Sequence, residues 1–435
     1  MADYGEISTI IGEMKRAAID SFMANQGWFV DYEYSDRYAL WGFIPSWYRR
    51  PEENGEGGGE RIAVGSDSLV EGFTNIRSRI DGATSKWVGL PTGAGASDGQ
   101  ESANSVATEF GAAASGGSAI ADGEVEKSID TISNTVVSNV RGSFKAPFLD
   151  KYDAQFAKIV GGLGAASALL QTAYAAEGAI WPAARQDAVD ICDSARNAFR
   201  LNAKQSAEEV RDFAFGVIGA VAGVVTTVAS AGTAAPIVTL LNLAKNASDA
   251  VGKLDAAANI ATDSYDSIIE SLESASRSLD EVVTEQEGAV RDMTESAGEV
   301  ISTENESFNL DAYALRTFPT DNTISLDRSE ADTVVLNMDR LITAMSSATT
   351  AVSSIPGDAF LRRDPGVGLG ATGPYAQISR LHELVSQSLT STRNEYERGR
   401  DLFQAVVDDY FATEGEAEAI AQALLRELET ETLGS

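Results

Sequence analysis

Apolar positions in this chain recur by threes and fours over most of its length, the spacing of one helix face rather than the alternation of a strand. Leu69, Phe73, Ile76, Ile80 and Trp87 predict a helix from about 66 to 88, stopped by Gly89 and Pro91. The pattern resumes near Val125 and strengthens through Ile159, Leu163, Ala166, Leu170, Ala173, Ile180 and Ala184, with Glu177 as its one break. Pro182 predicts a bend or restart, after which Ile191, Ala195 and Phe199 carry the helix toward Val210.

The strictest periodicity follows. Leu254, Ala258, Ala261, Tyr265, Ile268, Leu272, Ala275, Leu279, Val282, Gln286, Ala289, Met293 and Val300 keep a seven-residue repeat, with Ser296 filling the missing place. That is a coiled-coil seam, on the order of 70 Å long at 1.5 Å per residue. Its natural partner is the helix before it. A second pair is read from Val334, Met338, Leu341, Met345, Ala348, Val352 and Ile355, then Ile378, Leu381, Val385, Tyr396, Phe403, Val406 and Tyr410. The loop between them, PGDAFLRRDPGVGLGATGP, is rich in helix breakers. The fold class is therefore all-α, an elongated bundle of long antiparallel helical hairpins with coiled-coil-like seams.

The boundaries follow from breaks in the pattern. Residues 1–60 form an aromatic-rich segment with Trp28, Trp41 and Trp47, expected to pack as a small hairpin or an irregular cap over helix ends. Residues 61–93 hold the first helix, and 94–124 read as a mobile Gly, Ala and Ser-rich linker. Residues 125–304 form a long hairpin, 305–327 an irregular connection, 328–425 a C-terminal hairpin and 426–435 a tail.

One stretch of the long hairpin is unusual. Between Asp212 and Lys245 there is no charged residue, although charged residues make up 23% of the chain. The apolar side chains there are Phe213, Phe215, Val217, Ile218, Val221, Val224, Val225, Ile237, Val238, Leu240 and Leu241, with Gly232 and Pro236 making a turn. Burial on all sides at the hairpin's end is one reading. A conditional membrane element within 213–244 is the other, since Phe213 to Ala229 as a helix reaches about 26 Å against a hydrocarbon core of ~30 Å. A permanent anchor is not expected.

Composition narrows the chemistry. The net charge is −32, with 65 acidic and 33 basic residues and no basic block, which argues against nucleic acid as a partner. The acidity itself reads as solubility, with attraction to a basic partner or a cation as the alternative. The first twenty residues lack the basic start, apolar run and cleavage site of a secretory signal, so export would need another route. The lone Cys192 cannot form an internal disulfide, and with the lone His382 it excludes zinc sites built from several His and Cys. His382 lies mid-helix and reads as packing; no G-x-S-x-G elbow accompanies it. Gly366 to Gly373 lacks the Lys followed by Ser or Thr of a phosphate loop, and acidic pairs such as Asp408 and Asp409 read as solvated helix faces. No cofactor, metal, catalytic residue or small-molecule substrate is expected.

Two short motifs carry a resemblance. Trp87, Val88 and Gly89 end the first helix, and Tyr410 precedes Glu414 by four positions within GRDLFQAVVDDYFATEGEAEAIAQAL, residues 399–424. These are similar to the Trp-X-Gly turn and the Tyr-X-X-X-Asp/Glu secretion signal of actinobacterial type VII (ESX) substrates. The likeness covers residues 328–425, and it departs from the family because the two motifs lie far apart in the chain rather than serving one hairpin. It implies leaderless export, often with a helical partner, and a structural, assembly or effector role outside the cell. Separately, a charge-free tongue between two long helices, residues 155–300, resembles in topology the α-helical pore-forming toxins of the cytolysin A and haemolysin B-component type.

The expectation is thus a non-enzymatic, secreted or envelope-associated helical protein acting through a protein partner or self-association, with a cytoplasmic location as the alternative. A pore-forming or membrane-perturbing protein using 213–244 is the second reading, and a rod component of a phage or other assembly the third.

Overall fold

The computed structural model describes residues 3–31, 34–40, 46–56, 68–110, 124–141, 145–204, 213–218, 239–240, 243, 255–261, 264–313 and 327–432. Within the aromatic-rich N-terminal segment it places a helix, α1 (Ile7–Asn25), whose inward face is Ile7, Ile10, Ile11, Met14, Ala17 and Ala18. A three-stranded antiparallel sheet follows: β1 (Phe29–Val30), β2 (Arg37–Leu40) and β3 (Ser46–Arg49), with Tyr38 opposite Tyr48. Both tyrosines are buried, and the Tyr38 hydroxyl donates to Asp20 of α1 at 2.6 Å. Trp28 is buried with them, Trp47 is half-buried, and Trp41 lies outside the described residues.

The first predicted helix is α2 (Ser68–Thr84), extended by a 3-10 turn (Ser85–Trp87). The expected linker is a correction: α3 (Ala94–Glu109) is a helix laid along the long central helix. Its Gly, Ala and Ser residues permit close approach instead of disorder. A methyl on Gly99 would come within 2.6 Å of the Tyr174 ring, and one on Gly93 within 2.8 Å of the Gly178 carbonyl oxygen. Residues 111–123 lie outside the described set.

After α4 (Glu124–Asn139) and the short α5 (Lys145–Leu149), a π-helical turn (Asp150–Gln155) leads into α6 (Phe156–Ala203). Residues 162–174 of α6 are buried without a gap. A one-sided stripe was expected; α6 is instead enclosed by α1, α3 and the helices that follow, as an all-round apolar helix must be. It continues through Pro182, leaving the Gly178 carbonyl without its helical partner.

Beyond α6 come β4 (Phe213–Ile218) and β5 (Asp255–Ile260), paired antiparallel with Phe213 opposite Ile260 and Ile218 opposite Asp255. Next is α7 (Tyr265–Thr303), capped by Ser264 in a capping box with Ser267. The predicted seam began at Leu254, but Ala258 lies in β5 and the helix begins at Tyr265. Its buried stripe runs Tyr265, Ile268, Leu272, Ala275 and Leu279, then widens: Gln286 and Met293 of the predicted seam stay buried, joined by Val283, Glu287, Val290, Thr294, Ala297 and Ile301. Val282, Ala289 and Val300, which the seven-residue repeat placed on the seam, are only half-buried. The stripe keeps the 3.6-residue period of a straight helix, since α7 packs in a many-helix bundle and needs no supercoil.

The last pair is α8 (Arg328–Ala351) and α9 (Tyr375–Thr432). They run antiparallel: Arg400 pairs with Asp339 at 2.6 Å, and His382 reaches the Val352 carbonyl at 2.9 Å. The supposed tail belongs to α9 as far as Thr432. Likewise α6 and α7 run antiparallel, with the Phe199 and Tyr265 rings 6.0 Å apart at one end and Gly162 beside Ser307 at the other.

These helices share two cores rather than forming separate hairpins. The first gathers α1, the sheet, α2, the C-terminal half of α6 and the N-terminal half of α7. The second gathers α3, α4, the other halves of α6 and α7, and α8 with α9. The loop 352–374 lies at their junction: Leu361 and Val367 belong to the first core, and Phe360 packs against both.

Candidate functional site

The polar break at Glu177 marks the most unusual place in the structure. Glu177 of α6 is fully buried beside Trp181, one turn on, whose indole nitrogen donates to Glu177 Oε2 at 3.2 Å. Glu287 arrives from α7 and Arg363 from the junction loop, both with side chains closed to solvent. Arg363 Nη2 bonds Glu287 Oε1 at 2.6 Å and Oε2 at 2.5 Å, and its guanidinium stacks 4.3 Å from the Trp181 ring. The other guanidinium nitrogens hold the loop itself, Nε on the Val367 carbonyl at 3.1 Å and Nη1 on that of Leu361 at 2.9 Å.

The glycine run, read as breakers from the sequence, forms the other wall. The Leu369 backbone N–H donates to Glu287 Oε2 at 2.7 Å. Gly368 and Gly373 adopt φ of +64° and +51°, and a methyl on either would collide with the Glu287 carboxylate. Here the loop cradles an anion that belongs to the protein.

The electrostatics are uneven. Burial pushes the Glu177 carboxyl well above the usual range and the nearby Glu287 adds to it; the Trp181 N–H and Arg363 act the other way without offsetting them. Burial also raises Glu287, against the pull of Arg363 and the Leu369 N–H, and it lowers Arg363. With every member buried, the cluster can take up or release a proton but is closed to a substrate.

The sequence-predicted positions are scattered. Trp87 is fully buried in the first core, and Gly89 turns the chain at φ +93°. The Tyr4 hydroxyl closes this turn, donating to the Trp87 carbonyl at 2.5 Å and accepting from the Leu90 N–H at 2.6 Å and the Gly89 N–H at 3.1 Å. Tyr410 and Glu414 lie one turn apart on α9, and the neighbouring Phe411 packs against the second core beneath Arg328. The structure does not bring the two motifs together.

No known protein family, curated protein or solved structure matches the chain. Its function must therefore be read from its own residues.

The apolar segment is corrected in part. Phe213, Phe215, Val217 and Ile218 lie in β4, where a helix was considered. The Ala261 N–H donates to Ser271 Oγ at 3.2 Å, so the chain entering α7 runs back alongside its second turn. Leu240 is fully buried as a member of the second core, so this part is no free tip. Val221, Val224, Val225, Ile237, Val238 and Leu241 lie outside the described residues. Among the described residues one helical run, Lys145–Ala203, is long and apolar enough to cross a membrane, but 89% of its apolar window is buried within the protein.

The lone histidine is structural: His382 is buried, with Nδ1 2.9 Å from the Tyr174 hydroxyl and Nε2 2.9 Å from the Val352 carbonyl. Cys192 is buried too, and burial pushes its thiol upward, away from reactivity. Among the described residues no group of three or more His, Cys, Asp and Glu is placed to hold a metal. Sequence reasoning found Glu177 by its break in an apolar stripe. It missed Glu287, because the seven-residue repeat directed attention to Gln286, and Arg363, which nothing local distinguishes from Arg362.

Proposed function

We propose that this is a non-enzymatic helical protein that acts by contact with a protein partner or with further copies of itself, and that it is exported by a leaderless, type VII route. The observation that carries the reading is the length of α9. It pairs with α8 as far as Phe411, beneath Arg328 at the start of that helix, and continues as helix to Thr432. Tyr410 and Glu414, four apart, are therefore one helical turn from each other where the pairing ends. A recognition element placed there can be read without opening either core. Deleting residues 410–435 should abolish export from a type VII-bearing host while lowering thermal stability only by the loss of the Phe411 contacts; undiminished protein in the medium of unlysed cells would overturn the reading.

A second reading, membrane perturbation through 213–244, is favoured by one observation. The β4–β5 ladder pairs Phe213–Ile218, at the start of the charge-free stretch, with Asp255–Ile260 just before α7, so the chain leaves α6 and returns to α7 at one place. Leakage from dye-loaded anionic vesicles, lost in Val224→Lys, is the expected outcome. Intact vesicles with the wild-type protein would rule it out.

A further inference from the structure

The Glu177 cluster holds two carboxylates and one guanidinium in a space closed to water. Arg363 is committed to Glu287, which also receives the Leu369 N–H. Glu177 has only the long Trp181 bond on Oε2, and its Oε1, fully buried, has no hydrogen-bond partner. An ionised carboxylate with a bare oxygen is strongly disfavoured in such surroundings, whereas a neutral acid is tolerated.

We propose that the loop of residues 352–374 is a proton-gated strap: a proton resident on Glu177 lets Arg363 stay docked on Glu287, and loss of that proton releases the loop from α6 and α7.

The elements packed here account for the charges that matter. Glu177 and Trp181 come from α6, Glu287 from α7 and Arg363 from the strap, and the charges acting on Glu177 are those of Glu287 and Arg363. The Lys86–Asp280 pair lies further out, near Gly366, and the Tyr174–His382 pair one turn earlier on α6. Once Glu177 ionises, two anions face one guanidinium, and each of its three nitrogens already holds another acceptor: Glu287, Leu361 or Val367. Recruiting Arg363 to Glu177 would undo the turn that keeps Gly368 and Gly373 against Glu287.

The sign follows from burial. The folded protein binds this proton more tightly than the unfolded chain does, so the closed strap is fully favoured below the ordinary Glu range. It weakens as pH rises toward the raised folded value.

Infrared spectroscopy of the full chain tests this directly. At neutral pH the wild type should show a carboxylic-acid C=O band that vanishes in Glu177→Gln and persists in the surface control Glu273→Gln. Hydrogen exchange at the Arg363 and Leu369 amides should accelerate beyond the intrinsic rate as pH rises, by up to about tenfold per pH unit for one linked proton, and Glu177→Gln should remove that excess. Absence of the band in the wild type, its survival in Glu177→Gln, or equal exchange behaviour in both proteins would overturn the proposal. If Glu177→Gln does not fold, Trp181→Phe takes its place: loss of the lone donor must carry the band to higher pH, and an unmoved midpoint would count as refutation.

Discussion

Tyr4 donates its phenolic proton to the carbonyl of Trp87 at 2.5 Å and, through the same oxygen, accepts from the backbone nitrogen of Leu90 at 2.6 Å. One hydroxyl thus closes the turn after α2 and ties it to the N-terminus, with the Arg185 guanidinium 4.0 Å from the ring centre. Burial raises the Tyr4 hydroxyl above its ordinary range, so it remains a donor at physiological pH.

Tyr4→Phe should therefore destabilise the protein by about 1–3 kcal/mol, since it removes one acceptor from two backbone N–H groups and a donor from a carbonyl. Urea unfolding measures the loss. A near-ultraviolet circular dichroism change is expected alongside it, because Trp87 is held at this turn. Identical midpoints for the two proteins would show that the hydroxyl contributes nothing to closure.

Adjacent arginines should behave as opposites. Arg363→Ala leaves Glu287 buried without its cation and is expected to cost about 3–5 kcal/mol. Arg362 is exposed and pairs with Asp358 at 2.9 Å, so Arg362→Ala should leave the melting temperature unchanged. Comparable losses in both would mean the buried pair carries no special weight.

The glycines of the strap divide in the same way. Gly370 also has a left-handed conformation, φ +95°, but no atom lies within 4 Å of where a side chain would start. Gly370→Ala should cost about 1–2 kcal/mol for the backbone alone. Gly368→Ala and Gly373→Ala add a collision with the Glu287 carboxylate and should cost more, about 2–4 kcal/mol. Thermal denaturation of the three variants ranks them, and Gly370→Ala as the worst would contradict this geometry.

Acid stability should depend on the single histidine. Burial lowers His382 below its ordinary value, and its bond to the Val352 carbonyl opposes this only in part. The unfolded chain then takes up a proton before the folded one does, so the contribution is complete above about pH 6.5 and is lost as pH falls through the lower folded value. With Nε2–H on Val352, Nδ1 accepts from Tyr174, and a second proton would break that bond. Proton NMR of the lone imidazole should place its midpoint below 6.5, and His382→Gln should flatten the acid limb. A midpoint at or above 6.5 would refute the assignment.

The helices were legible because burial imposes periodicity. Leu69 to Trp87, Val334 to Ala348 and Ile378 to Phe403 mark real inward faces. Errors arose where one residue type serves two purposes. The glycines, alanines and serines of 94–109 signal a linker until Tyr174 and Gly178 are there to be approached closely. The aromatic density of residues 28–48 drew attention away from the plain helical spacing of Ile7, Ile10, Ile11 and Met14. A seven-residue repeat and a 3.6-residue one differ by a single position over a few turns, enough to favour Gln286 over Glu287. The buried cluster joins residues from α6, α7 and the strap, and no local pattern announces such a meeting.

The enclosure of α6 has a consequence for how this chain can come apart. Its two ends belong to different cores, yet it is one unbroken rod through Pro182, so neither core can dissolve without baring half of the helix to water. Partial unfolding should therefore be confined to the periphery, and the body should melt in one step. A protease that reaches α6 would leave two fragments, each an incomplete sheath around half an axle, and neither would survive without the other.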